Sequence, residues 1–160
     1  MKKFAIILSG CGVYDGSEIH ESTMVMLAIK KLGFDFELFA PNKEQYHVVN
    51  HLTGEVTNEK RNVLVESARI ARGNVKDLKL LQAKDFDILI LPGGFGAAKN
   101  LSTYAIDGEK MSVDNEVERV ILDFYKSRKP IGAMCIAPVI IAKLIPDSLV
   151  TIGQDSKTAK

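Results

Sequence analysis

The chain has 160 residues, of which 46% are hydrophobic and 26% are charged, and its formal net charge is +1. A chain of this length is expected to form one domain that buries roughly 70% of its unfolded surface, without help from disulfides or metals. The nearly balanced charge, with no basic block, argues against nucleic acid or an anionic membrane surface as a partner.

The cysteine content indicates the redox state of the cellular compartment. Two cysteines do not make a disulfide framework, so we expect a reducing environment and, by default, the cytoplasm. The apolar run after Lys2 and Lys3 is too short for a signal peptide and meets Ser9 at once. No run approaches the ~20 apolar residues of a membrane span.

The first elements of the chain alternate between strand and helix patterns. Phe4–Leu8 is a continuous apolar run typical of a central parallel strand, and the turn-rich loop Ser9–Gly16 follows it. A helix is predicted from Ser17, as its N-cap, to Leu32. The alternation over Phe34–Phe39 predicts a strand with one wetter face.

The same alternation resumes after a long polar excursion that begins at Pro41. The predicted elements are a helix over Glu59–Arg72, a strand over Phe86–Leu91, a helix from the cap Asp114 to Ser127, a strand over Pro130–Met134, a helix over Ile136–Leu144 and a last strand over Leu149–Ile152. This order predicts an α/β fold: a mostly parallel sheet with helices on both faces.

Ligand sites in such sheets lie beyond the carboxyl ends of the strands. Three segments are predicted at that edge: Ser9–Ser17, Pro92–Leu101 and the turn at Cys135. The candidate functional residues are therefore sought there.

Cys135 falls where a predicted strand becomes a predicted helix. Such a turn lifts the side chain out of the sheet toward the unpaired N–H groups of the helix start, which favour a thiolate. The alternative is a buried structural cysteine, since free cysteine is among the most buried residue types.

Glu18 and Glu21 share a face in the first turn of the first helix. Glu18 is interpreted as a solvated complement to the helix dipole. For Glu21 we favour a proton shuttle beside Cys135. The glycine-rich turn Pro92–Gly96 would let backbone N–H groups approach a ligand or an oxyanion, which makes Gly93 and Gly94 candidate binding residues.

The remaining polar residues carry weaker expectations. His47 and His51 are four apart without a clear helix, so no metal site is predicted, and we take them as loop or surface histidines. Cys11 and Asn100 are possible lining residues of the pocket, although an inert Cys11 is the other interpretation. No cofactor is predicted.

Six segments together resemble the ThiJ/PfpI branch of the class I glutamine amidotransferase-like superfamily, and within it the ElbB group of glyoxalase-like proteins linked to isoprenoid biosynthesis. The resemblance covers nearly the whole chain. The segments are Leu8–Glu21, Asn50–Glu55, Arg61–Leu64, Ala68–Gly73, Pro92–Leu101 and Met134–Pro138.

The resemblance implies a flavodoxin-like three-layer sandwich with a nucleophile elbow at Cys135. It also implies that Glu21, rather than Glu18, is the partner carboxylate, and that backbone donors near Gly94 and at Ile136 form an oxyanion site. Homodimers are common in the superfamily, so a homodimer is expected.

The chain departs from the superfamily pattern in two ways. No histidine follows Cys135, which excludes a triad with a downstream histidine within this chain. Relatives continue with further strands and a closing helix, so we expect residues 1–160 to be a single domain truncated at its C-terminal end.

Three functions follow as hypotheses. The first is a cofactor-free glyoxalase that converts a small-molecule carbonyl substrate, a 2-oxoaldehyde such as glyoxal or methylglyoxal, to a 2-hydroxy acid through Cys135 and Glu21. The second is a non-enzymatic redox-sensing or partner-binding protein that uses the same cysteine. The third, weaker hypothesis is amide hydrolysis of the glutamine amidotransferase type.

Overall fold

In the computed structural model, which describes residues 1–151, 153–154 and 158, strands and helices alternate along the chain. The strands are β1 (Lys3–Ile7), β2 (Asp35–Ala40), β3 (Lys76–Asp77), β4 (Ile88–Leu91) and β5 (Ile131–Ala133). The helices are α1 (Ile19–Lys31), α2 (Val63–Ala71), α3 (Phe95–Lys99), α4 (Tyr104–Asp107), α5 (Asn115–Lys126) and α6 (Pro138–Leu144). Short 3-10 turns span Leu78–Leu80, Ala83–Asp85 and Gly108–Lys110.

All five strands are parallel and lie in the order β3-β2-β1-β4-β5. Without the two-residue β3 at the edge, the order is that of the first four strands of a flavodoxin-like sheet. The expected α/β fold with a flavodoxin-like sandwich is therefore confirmed. The chain leaves β1 toward β2 on one side, whereas β4 lies on the other, so the topology opens a crevice between β1 and β4.

The sheet has an apolar core on each face, because successive strand residues point to opposite sides. Ala5 and Ile7 pack with α5 and α6 in one cluster, which includes Phe124 and Ile140. Ile6 and Leu8 pack on the other side with α1 and α2. The two clusters make the three layers that the alternating pattern predicts.

The helix ends agree only in part with those predicted from the sequence. Asp114 caps α5 as predicted, since its Oδ1 accepts from the N–H of Glu116 at 3.0 Å. Ser17 does not cap α1; its Oγ accepts from the N–H of Ser9 at 2.8 Å, and Glu18 is the cap. The second helix begins at Val63 rather than at residue 59.

Several short elements were not predicted. The segment 92–101, expected as loop, contains α3, and α4 and β3 carry too few residues for a periodic pattern. The last strand, predicted over Leu149–Ile152, is absent from residues 149–151 of the described chain, and Ile152 lies outside the described residues. None of the helices in the described part has the length and apolarity to cross a bilayer.

Candidate functional site

The parallel register brings the carboxyl ends of β1, β4 and β5 to one edge. Ile6 pairs with Ile90, and Leu91 pairs with Ala133. The glycine turn that follows β4 therefore lies between the loop after β1 and the turn after β5. This is the crevice that the topology opens.

Cys135 occupies the turn between β5 and α6 in a strained backbone conformation. Its φ is 57°, in the left-handed region that residues with a Cβ rarely adopt. Such conformations cost about 1–3 kcal/mol and concentrate at functional sites. The side chain is exposed, so the alternative of a buried structural cysteine is wrong. The turn therefore leaves Cys135 accessible from outside the protein.

Gly93 is the point at which Cys135 and Glu21 meet. A Cβ placed on Gly93 would lie 2.3 Å from the Cβ of Cys135 and 2.8 Å from Oε2 of Glu21. The N–H of Gly93 donates to that Oε2 at 2.7 Å. Only a glycine fits here, and its N–H holds the carboxylate beside the cysteine. Gly93 was predicted as a substrate-binding donor, and its N–H is instead engaged with Glu21.

Glu18 has a different task from Glu21. One carboxylate oxygen accepts from the N–H of Glu21 at 2.6 Å, and the other lies 2.9 Å from Nδ1 of His20. Partial burial opposes ionisation, but the hydrogen bonds from Glu21 and His20 outweigh it and hold the pKa of Glu18 below its ordinary value. Glu18 thus starts the helix that positions Glu21.

Gly94 and Ile136 present backbone donors near the sulfur. Among the described residues, no acceptor takes a hydrogen bond from the N–H of either. The carbonyl of Gly93 accepts from the N–H of Glu18 at 2.9 Å, so the Gly94 N–H of the same trans peptide points away from the start of α1. With φ at 93° and Gly16 O 2.4 Å from an added Cβ, position 94 also requires glycine.

A cavity of about 350 Å³ opens beside these groups. Gly94, Cys135 and Ile136 form one part of its wall. The rest of the wall is apolar or aromatic, from Val13, Phe95, Ala98, Tyr104 and Ala105. These lining residues were not predicted from the sequence, because α3 and α4 show no periodic pattern of their own. The signal that indicated this part of the molecule was the position of residues 92–101 at the carboxyl edge of the sheet.

Cys11, predicted as a possible lining residue, is not among the described lining residues of this cavity. Burial, with the charges of Glu66 and Asp15, raises the pKa of the Cys11 thiol, and Arg69 opposes the shift. Its charged neighbours thus place it beside α2. This environment fits the interpretation of Cys11 as an inert thiol.

Asn100, the other predicted lining residue, is a buried structural clamp. Its side-chain amide donates to the carbonyls of Ser9 and Asp15, both at 2.9 Å, and its Oδ1 accepts from the N–H of Tyr46 at 2.9 Å. These bonds engage the amide with backbone groups of three residues and hold the loops together. Asn100 supports the edge on which the site is built and is absent from the described cavity wall.

The histidines lie elsewhere in the described chain. His20 binds Glu18, and the ring of His47 packs on Tyr46 with centroids 4.4 Å apart. His51 Nε2 accepts from the N–H of Tyr14 at 3.3 Å. Across the described ranges, no group of three or more His, Cys, Asp or Glu side chains has the arrangement of a metal site.

Comparison with known proteins decides the family. The pattern of the DJ-1/PfpI family matches residues 11–151, which include Cys135, Glu21 and the glycine turn. The chain belongs to the DJ-1/PfpI family. The class I glutamine amidotransferase-like resemblance seen in the sequence is confirmed at this level.

Two curated relatives are similar over 156 residues, or 97% of this chain. The "ES1 protein homolog, mitochondrial" of Rattus norvegicus is 51% identical. The human "Glutamine amidotransferase-like class 1 domain-containing protein 3, mitochondrial" is 50% identical. This DJ-1/PfpI chain spans only 59% and 58% of their respective lengths.

The names of these relatives correct one expectation. They are mitochondrial proteins by name, and so is the 40% identical "ES1 protein, mitochondrial" of Danio rerio, so the predicted cytoplasmic location is wrong. A low cysteine count indicates reducing surroundings and does not tell one reducing compartment from another.

A solved structure supports the same fold. The isoprenoid biosynthesis protein with amidotransferase-like domain from Ehrlichia chaffeensis superposes with a TM-score of 0.86 at 46% identity. The match covers 91% of this chain and 69% of that one.

Proposed function

We propose that this chain acts as a cofactor-independent glyoxalase of the ElbB type, converting glyoxal or methylglyoxal to the corresponding 2-hydroxy acid. The observation that carries the proposal is the convergence of Cys135 and Glu21 on Gly93, with the Glu21 carboxylate held 2.7 Å from the Gly93 nitrogen. Membership in the DJ-1/PfpI family, which includes glyoxalases and proteases, is consistent with an enzyme.

The reaction begins at the exposed sulfur. Cys135 adds to the aldehyde carbon of the substrate, and the thiol proton ends on the new hydroxyl, which gives a hemithioacetal. The charge that develops on oxygen during addition is stabilised by the N–H groups of Gly94 and Ile136. Both donors lie on the wall of the same cavity as Cys135.

Glu21 then moves one proton. Its carboxylate removes the hydrogen from the carbon bonded to sulfur and returns it to the neighbouring carbonyl carbon, through an enediol. Because Oε2 is held by Gly93, the transfer falls to Oε1. The product is a thioester of the 2-hydroxy acid, and water cleaves it to release the acid and the thiol.

Turnover of methylglyoxal by the purified protein tests this function. We expect lactate to form, and Cys135→Ala to abolish its formation. The matched control is Cys11→Ala, which removes the chain's other thiol and leaves turnover unchanged. Lactate formation that survives in Cys135→Ala would refute the proposal, as would an inactive wild-type protein.

A redox-sensing role is the second candidate, and the contrast between the two thiols favours it. Cys135 is exposed, whereas burial raises the pKa of Cys11. Peroxide would then add oxygen at Cys135. If intact mass shows selective oxidation at Cys135 in a protein without glyoxalase turnover, the sensor replaces the enzyme as the better account.

Amide hydrolysis of the glutamine amidotransferase type is less well supported. The chain's three histidines are at positions 20, 47 and 51, all before Cys135 in sequence. His20 binds Glu18, His51 binds backbone groups, and the ring of His47 packs on Tyr46, so none of these contacts joins a histidine to Cys135. The absence of ammonia release from glutamine is therefore the expected result.

A further inference from the structure

We infer that the cavity beside Cys135 selects 2-oxoaldehydes that carry an uncharged, apolar substituent, and that Ala105 limits the size of the substituent it admits. The inference rests on the proposed function, because it takes Cys135 as the point of attack. It goes beyond that function by naming the class of substituent and the residue that selects it.

The cavity wall is almost free of charged groups. The described lining residues present one titratable group besides the thiol, the phenol of Tyr104, and no cationic or carboxylate side chain. The Glu21 carboxylate, which acts on the carbon bonded to sulfur, is held by the Gly93 N–H and is not one of these lining residues. An anionic substituent placed there would lose its hydration without gaining an ion pair, which is unfavourable. An apolar substituent instead gains from leaving water.

A cation near the cavity is bonded to a backbone carbonyl and is not one of the described lining residues. The ammonium of Lys99 lies 5.2 Å from the centroid of the Phe95 ring. It donates to the carbonyl of Tyr14 at 2.9 Å, and Lys99 is outside the set of lining residues. Phe95 itself is 47% exposed and extends the apolar wall to the surface.

The lining residues also set the orientation of the substrate. Gly94 and Ile136, whose N–H groups have no acceptor among the described residues, line the cavity together with Cys135, so the two carbonyl groups of the substrate are expected to bind beside them. The substituent is then directed along the apolar part. The cavity volume of about 350 Å³ is roughly ten times the ~30 Å³ share of one water molecule, so a ring fits.

Two of the lining residues are small. Ala98, in α3, is buried, whereas Ala105, in α4, is exposed and lines the same cavity. A larger side chain at Ala105 fills the recess from the solvent side without entering the core. Its neighbour Ile106 lies on the same helix outside the described wall and provides a matched control.

Steady-state kinetics with three substrates test the inference: glyoxal, phenylglyoxal and 4-carboxyphenylglyoxal. We expect kcat/KM for phenylglyoxal to exceed that for each of the other two by about tenfold or more, the scale on which small apolar groups are discriminated. Ala105→Phe lowers the ratio of phenylglyoxal to glyoxal by about tenfold. Ile106→Ala leaves the ratio unchanged.

Failure of this inference and failure of the proposed function would give different results. Cys135-dependent turnover with equal kcat/KM for all three substrates overturns the inference and leaves the function standing. A preference that Ala105→Phe does not reduce overturns the role of Ala105. No Cys135-dependent turnover of any 2-oxoaldehyde refutes the proposed function itself.

A second readout does not need turnover. Iodoacetanilide and iodoacetamide are both uncharged, and they carry an aromatic group and a small amide group to the same kind of thiol. Their alkylation rates at Cys135 are measured on the peptide that contains Cys135 and divided by their rates with glutathione. We expect the normalised rate to be higher for iodoacetanilide. The opposite order would overturn the apolar selectivity even in a protein that turns over no dicarbonyl.

Discussion

The N–H of Gly93 donates a hydrogen bond to Oε2 of Glu21 across 2.7 Å, although the two residues lie 72 positions apart in the chain. The bond joins the turn after β4 to the first turn of α1. It fixes the carboxylate on the side of Gly93 where a Cβ would meet the Cβ of Cys135. One backbone group therefore sets the distance between the two residues of the proposed chemistry.

Gly93→Ala is predicted to disable the site. The added methyl would meet the Cβ of Cys135 at 2.3 Å and the carbonyl of Met134 at 2.9 Å, neither of which is the end of a flexible side chain. We expect destabilisation of about 1–3 kcal/mol, the scale of overpacking, and loss of turnover. Urea unfolding and methylglyoxal kinetics measure both. Gly153→Ala, where an added Cβ meets no atom of the described residues within 4 Å, is the control.

Asn100→Ala is predicted to loosen the loops at the carboxyl edge. The change leaves the carbonyls of Ser9 and Asp15 and the N–H of Tyr46 without their side-chain partner. Since Asn100 is 1% exposed, the cost is expected to be about 2–4 kcal/mol, from buried polar groups left unsatisfied. Urea unfolding measures it against Asn74→Ala, an exposed position. Equal stability of the two variants would contradict the clamp.

The sequence predicted the layered fold well, since the continuous apolar run Phe4–Leu8 and the helical apolar stripe of α5 are distinct patterns in the sequence. It also placed Cys135 and Glu21 at one edge. It did not predict the cavity wall, because the four residues of α4 are too few to show a pattern. The sequence also could not show whether the Asn100 side chain faces a ligand or holds loops together, because that depends on which loops surround the amide.

The stabilising effect of Glu18 is predicted to depend on pH. Its pKa is lowered in the folded chain, so it contributes stability above its unfolded pKa, and the contribution is lost as the pH falls through the lowered value. Glu18→Gln should therefore cost more stability at about pH 7 than at about pH 3, by up to about 1 kcal/mol for a helix cap. Urea unfolding at both pH values tests this.

The exposed Glu55 supplies the control, since Glu55→Gln should show a smaller dependence on pH. If the two variants lose the same stability at both pH values, the hydrogen bonds to Glu18 do not act as described.

Cys135 is predicted to react with an alkylating reagent before Cys11 does. Iodoacetamide in limiting amount at about pH 7.5 should label Cys135 before Cys11, because the first is exposed and burial raises the pKa of the second. Peptide mapping by mass spectrometry reports each site. Raising the pH should narrow the difference, and preferential labelling of Cys11 would contradict the structure's account of both residues.

The kcat/KM of Glu21→Gln for methylglyoxal, measured beside that of Glu18→Gln, tests most directly whether Glu21 moves the proton. Loss of a positioned acid–base group is expected to lower the value about 10²–10⁴-fold for Glu21→Gln, while Cys135 still alkylates at the wild-type rate. Glu18→Gln should keep most of the activity. Wild-type turnover in Glu21→Gln, or an equal loss in both variants, would contradict a Cys135–Glu21 pair.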